Sequence, residues 1–232
     1  MGHKTRIPLW LALTFLALPS ARAEPPMTVD DAGVMERGGV KIEGAWLRDH
    51  KARGPDLVIG YSPIDGLEMA INAGLTHDHI LAPSTRTRAY GLSAKWVPWL
   101  REVGWSAGLI LSLGHARVNE RATPHRHTER NLTLVGLASY FWEGGHKLHF
   151  NLGHERIRAR GEEDDAALWG VGFEWSLTPV LQLTLEAFGG DTGRPERAVG
   201  LRYTLVESFK LNAAAGRGNG RDFGQIGFAW EF

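Results

Sequence analysis

A period of two residues, repeated about a dozen times between turn signals, limits this chain more than any other feature. Successive side chains of a β-strand point to opposite faces. On Leu181–Gly189 the apolar set is Leu181, Leu183, Leu185 and Ala187, while Gln182, Thr184 and Glu186 oppose it. Leu67, Met69, Ile71, Ala73 and Leu75 oppose Glu68, Ala70, Asn72, Gly74 and Thr76 in the same way. The pattern predicts strands at Val40–Asp49, Asp56–Ser62, Leu67–Thr76, Arg86–Trp96, Trp105–His115, Asn131–Trp142, Lys147–Arg158, Ala167–Leu177, Leu181–Gly189, Arg197–Leu205, Phe209–Gly216 and Phe223–Phe232. The expected count is ten to twelve. Asn131–Trp142 fits worst, and a bulge near Gly136 is expected there.

Residues 1–23 read as a signal peptide, with Lys4 and Arg6 before an apolar stretch and Ala21-Arg22-Ala23 at the cleavage site. They hold three basic residues (Lys4, Arg6, Arg22) and no acidic one, so the remainder carries three more acidic than basic residues. Such a balance gives no reason to expect nucleic acid. The absence of cysteine excludes disulfides and thiolate metal sites. No later stretch reaches the ~18 apolar residues of a membrane helix, but alternating strands escape that measure. The final strand, Gln225 to Phe232, ends on an aromatic residue with Phe228, Trp230 and Phe232 on one face. It resembles the terminal strand that bacterial outer-membrane β-barrels present to their assembly machinery. The fold class expected is therefore all-β, a closed antiparallel transmembrane barrel over residues 39–232, preceded by a periplasmic tail or partial plug at 24–38. The expected location is the cell outer membrane.

Connections support this reading by their parity. Pro63–Gly66, Pro98–Gly104, Glu143–His146, Thr178–Val180 and Val206–Ser208 are tight. The alternate ones, such as His77–Thr85 and Ala116–Arg130, read as longer and charged. Short periplasmic turns and long outer loops build outer-membrane barrels. Trp96, Trp99, Trp105, Trp142, Trp175 and Trp230 fall on the short-turn side, as an aromatic girdle requires.

Inward positions hold the charges Lys41, Glu43, Glu68, Lys95, Glu174, Glu186, Arg202, Lys210 and Glu231 among small residues. Either a narrow polar conduit for a small-molecule solute or a closed lumen of paired charges fits them. Arg86, Arg88, Arg156, Arg158, Arg160 and Arg197 share the parity of lipid-facing residues and are expected to meet lipopolysaccharide phosphates. The alternative for these arginines is loop charge paired with Glu162, Glu163, Asp164 and Asp165. His77, His79, His125 and His127 are weak metal candidates because no third ligand has a fixed spacing, so no metal or cofactor is expected. For hydrolysis, Ser112 and His115 have opposite parity and Ser139 shows no evident partner. An enzyme, in particular a lipid hydrolase, is the least favoured class.

Residues Thr28 to Gly38 (TVDDAGVMERG), Val40-Lys41-Ile42-Glu43-Gly44 and Tyr61 to Glu68 (YSPIDGLE) resemble the mature start of the outer-membrane family labelled "MetA-pathway of phenol degradation". That resemblance implies a barrel associated with uptake of small, often aromatic, compounds, and transfers no catalytic residue. The function expected is a passive channel or transporter, with a closed barrel acting through its outer loops as the alternative.

Overall fold

The computed structural model describes residues 25–78, 84–121 and 125–232. The expected signal peptide and His79 lie outside the described residues. Twelve strands follow one another: β1 (Val40–Asp49), β2 (Ala52–Ile64), β3 (Leu67–Asp78), β4 (Thr85–Trp99), β5 (Gly104–Glu120), β6 (Arg126–Phe141), β7 (Lys147–Ala159), β8 (Glu162–Thr178), β9 (Leu181–Gly190), β10 (Glu196–Val206), β11 (Phe209–Gly218) and β12 (Arg221–Glu231). Each pairs with its sequence neighbours, and β1 pairs with β12, so the antiparallel sheet is a closed barrel. The seam runs from Lys41 opposite Glu231 to Asp49 opposite Phe223. At its rim Val40 N–H donates to Phe232 O at 2.7 Å and Phe232 N–H to Val40 O at 2.9 Å. Closure leaves no strand edge unpaired, the condition for a sheet to stand in lipid.

The two faces sort by parity. On β5, Trp105, Leu109, Leu111 and Leu113 are exposed outward, while Ser106, Ile110, Ser112 and Ala116 are buried inside. From Trp105 to Leu113 the strand rises about 20 Å along the barrel axis at the usual tilt, close to the height of a lipid-facing band. Above that band the outward residues change abruptly to His115 and Arg117. All six tryptophans of the expected girdle are exposed at the short-turn rim, at 40–57%. Trp105, Tyr140, Trp142 and Phe173 contact one another edge-on in sequence around it.

Several strands extend beyond their apolar segment. β5 and β8 reach 17 residues and β6 reaches 16, whereas β1, β9 and β11 have 10. The expected contrast in loop length is correspondingly reduced. β7 and β8 meet at Arg160-Gly161, and β11 and β12 at Asn219-Gly220, all four residues having positive φ. Two successive residues of this kind match the right-handed twist of a hairpin. The extension has a physical basis: outside lipid, backbone pairing continues with charged residues on both faces.

No bulge interrupts β6. Its register runs unbroken from Gly104 opposite Phe141 to Asn119 opposite Arg126, and equally against β7. The apparent parity change comes from Val135 and Leu137, which point into the lumen and are buried there. Register shifts occur instead beside the short turns, between Tyr61 and Ile64, Trp96 and Trp99, Ser176 and Thr178, and Thr204 and Val206.

Candidate functional site

The lumen is occupied by the chain's own N-terminal segment. Residues 25–34, which lack any periodicity, run against side chains from opposite walls of the barrel. Arg202 Nε donates to Pro25 O at 3.0 Å and Gln225 Nε2 to Pro26 O at 2.6 Å. Thr28 and Val29 N–H donate to Glu186 Oε2 at 2.7 and 2.9 Å. Asp30 N–H donates to Asn151 Oδ1, and Ala32 N–H to Ser139 Oγ, both at 2.7 Å. Lys95 Nζ is 2.9 Å from a carboxylate oxygen of both Asp30 and Asp31. Backbone groups that no strand can reach are thus satisfied by inward side chains.

Apolar contacts complete the fit. Ala32 packs with Val97, Ile110, Val135 and Leu137 in one cluster. Met27 and Val29 are buried together beside Phe188. Gly170, Gly172 and Gly200 make room for them: a Cβ at Gly170 would lie 2.7 Å from Val29 Cγ2, and one at Gly200 2.7 Å from Pro26 Cγ.

Each expected lumen charge faces inward and has a partner. Lys41 bridges Glu43 at 3.3 Å and Glu68 at 2.6 Å. Glu174 takes Arg202 at 2.7 Å and Lys147 at 3.5 Å. Lys210 meets Glu231 at 3.0 Å, and Glu186 serves the plug backbone as described. Residues missed in the sequence include Asp30, Asp31, Asn151 and His149. Ser139 does have a partner: it lies directly opposite His149 across β6 and β7. Its Oγ is 2.9 Å from His149 Nδ1, and His149 Nε2 is 3.3 Å from Glu174 Oε1. This Ser–His–Glu order resembles a nucleophile relay. Ser139 and His149 are nonetheless fully buried, and Ser139 Oγ already accepts the Ala32 N–H. The relay faces the lumen, away from any acyl chain in the bilayer.

The outer wall gives the arginines different surroundings. Arg156 is paired with Asp165 at 2.8 Å, and Arg158 with Glu163. Arg160 sits in its turn, 3.8 Å from Glu120 and 3.4 Å from His127. Cross-strand register places Arg88 opposite Arg117 and Arg130 opposite Arg158. Like charges so opposed are destabilising unless an anion lies over them. Arg86 lies opposite Asn119 on the same outer face, and Arg197 faces outward opposite Arg217. Of the histidines, His127 bonds Glu129 at 2.9 Å, and the described residues include no group of three metal-type side chains.

A model of the family described as "Uncharacterised conserved protein UCP029691" matches residues 11–223, so the chain belongs to that family. This, and not the phenol-degradation family, is the match found. Among curated proteins none matches. Among solved structures the barrel is similar to a "KdgM porin in complex with disordered oligogalacturonate", with 13% identity and a TM-score of 0.61 over 83% of this chain and 99% of that one. It is also similar to the translocator domain of the autotransporter NalP from Neisseria meningitidis, with 11% identity and a TM-score of 0.54 over 85% and 90%. The NanC porin aligns with 8% identity and a TM-score of 0.54 over 82% and 98%. At these identities the likeness is one of fold: an all-β barrel of the kind found in Gram-negative outer membranes.

Proposed function

We propose that this chain is an outer-membrane channel for passive passage of small molecules, closed in its resting state by residues 25–34. The observation that carries the reading is how the lumen is filled. A terminal segment, attached by side-chain contacts rather than by strand pairing, occupies the space. It can leave without breaking the barrel, whereas bulky inward side chains could not. Once vacated, the lumen is lined by Glu186, Asn151, Ser139, Lys95 and the three glycines, with Val97, Ile110, Val135, Leu137 and Phe188 as an apolar patch among them.

The solute is neutral or cationic, and aromatic compounds fit the resemblance at Thr28–Gly38, whose first part, to Val34, lies in the lumen. The KdgM neighbour is described with oligogalacturonate, an acidic sugar chain. Here Glu120, Glu129, Glu155, Glu162 and Asp164 share the inward parity of the upper wall and oppose a polyanion. Lipid contact belongs to the outer arginines, and delivery to the membrane to the C-terminal strand through the assembly machinery. A second reading, a permanently closed barrel with a surface role, draws on the apolar packing of Ala32 against Val97 and Leu137. Liposome swelling decides between them: a barrel lacking residues 25–34 admits small neutral solutes under the first reading and none under the second.

A further inference from the structure

We infer that the outer wall of β1–β5 is a seat for lipopolysaccharide. Its phosphates lie on a row of arginines that the chain leaves without counter-charge, and its acyl chains lie in two grooves beneath them. This narrows the reading that outer arginines contact lipid, on which it rests, and it is independent of whether the lumen conducts.

Register builds the row. At the loop end of the wall Arg48 lies opposite Arg53, Arg53 opposite His77, and His77 opposite Arg86. Two residues along β4 on the same face, Arg88 lies opposite Arg117 of β5. Each step is one strand spacing of about 4.8 Å, so the row crosses five strands and roughly 19 Å. All five arginines are exposed. No outward position of these strands holds Asp or Glu, and none of the five arginines has an acidic partner among the described residues. The far wall differs: Arg156 takes Asp165 at 2.8 Å and Arg217 takes Asp222 at 2.7 Å. Like charges directly opposite one another destabilise a sheet. A chain that neutralises arginines on β7 and β11 but not here leaves this row for an external anion, and the guanidinium fork suits phosphate.

The grooves adjoin the row. A depression of about 930 Å³ has Trp46, Leu57, Leu75 and Ile226 in its lining, together with Arg86 and Arg88 of the row. Beside it a second, of about 500 Å³, is lined by Ile59, Ile71, Leu92 and Leu113. Both include Leu57, Ala73 and Tyr90. The small Ala73 lies between Leu57 and Tyr90 in the register and leaves a dip between larger neighbours. Apolar hollows that end at unpaired guanidinium groups match a lipid with anionic head and acyl tails. A glycerophospholipid brings one phosphodiester, which one or two arginines satisfy. A row five strands wide matches the several phosphates and broad set of chains of lipopolysaccharide, and the long-loop end of such barrels faces the outer leaflet where that lipid resides.

The test measures lipopolysaccharide and phospholipid retained by the full-length barrel purified from outer membranes in mild detergent, with folding of each variant checked by heat-modifiable electrophoretic mobility. Combining Arg48→Ser, Arg53→Ser, Arg86→Ser and Arg88→Ser should lower retained lipopolysaccharide at least about tenfold. Ala73→Trp, which fills the grooves and leaves every charge, should lower it about fivefold. The double variant Arg156→Ser, Arg217→Ser, whose arginines have acidic partners, should retain the wild-type amount. Should the fourfold variant fail to fold, the wild-type barrel refolded free of lipid replaces it. That barrel should bind lipopolysaccharide at least about tenfold more tightly than the dephosphorylated form. Full retention by the fourfold variant or by Ala73→Trp, or equal affinity for the two forms, overturns the inference. So does a wild type that carries phospholipid alone. Loss from the Arg156, Arg217 variant only would place lipid contact on the far wall, which overturns this seat while leaving outer arginines as the lipid contact.

Discussion

Asn151 and Asp30 exchange two hydrogen bonds: Asp30 N–H donates to Asn151 Oδ1 at 2.7 Å, and Asn151 Nδ2 donates to Asp30 O at 2.8 Å. A side-chain amide here does what a neighbouring strand would do for the backbone. It makes Asn151 the most specific grip that the wall has on the plug. Asn151→Ala removes both bonds at a cost of about 2 kcal/mol. Hydrogen exchange at the Asp30 amide should accelerate roughly thirtyfold, with exchange in β5 and β6 unchanged. Equal rates in variant and wild type would deny Asn151 this role.

Lys95 is the electrostatic counterpart. Its ammonium group serves both Asp30 and Asp31, so Lys95→Met strands one buried and one partly buried carboxylate. Removing one partner of a buried ion pair costs roughly 3–5 kcal/mol, more than the plug's individual hydrogen bonds supply. Full-length Lys95→Met should therefore swell liposomes in small neutral solutes, as the truncated barrel does. Impermeability equal to that of the wild type would show that Lys95 does not hold the plug.

Orientation of the wall is testable at β6. Leu134 is 50% exposed on the outer face, and its neighbour Thr133 is 1% exposed inside. Leu134→Arg places a guanidinium in lipid, at roughly 2–4 kcal/mol near the midplane. Reversible urea unfolding in lipid vesicles gives the measurement, with the unfolding midpoint falling accordingly. An unchanged midpoint would place Leu134 away from lipid.

Arginines on the outer wall give a fourth expectation. Arg88 lies opposite Arg117 and Arg130 opposite Arg158; Glu163 already partners Arg158, and phosphate groups would relieve the others. Replacing all four with Ser should lower lipopolysaccharide retained through purification by at least about tenfold, on the scale of several charge-assisted hydrogen bonds. Retention at the wild-type level would assign lipid contact elsewhere.

Legibility in the sequence follows the physics of each part. The seam strand β1 is readable to its ends because Lys41, Glu43 and Asp49 share one parity and Val40, Ile42 and Trp46 the other. The pairing of residues 126–130 is not. Along His127-Thr128-Glu129-Arg130 both faces are polar or charged, which carries no apolar signal, so the upper part of β6 reads as loop. Val135 and Leu137 read as outward because an apolar residue in a barrel strand ordinarily faces lipid. Their partner is Ala32, distant in sequence and in a segment without period. Ser139 looks isolated for a related reason: His149 becomes its neighbour only through the β6–β7 register.

Single-channel recording in planar bilayers tests the plugged channel most directly, comparing the full-length barrel with one lacking residues 25–34. A plug that leaves the lumen predicts long silent periods with brief openings for the first, and steady, discrete current steps for the second. Identical traces from both, whether conducting or silent, would contradict it.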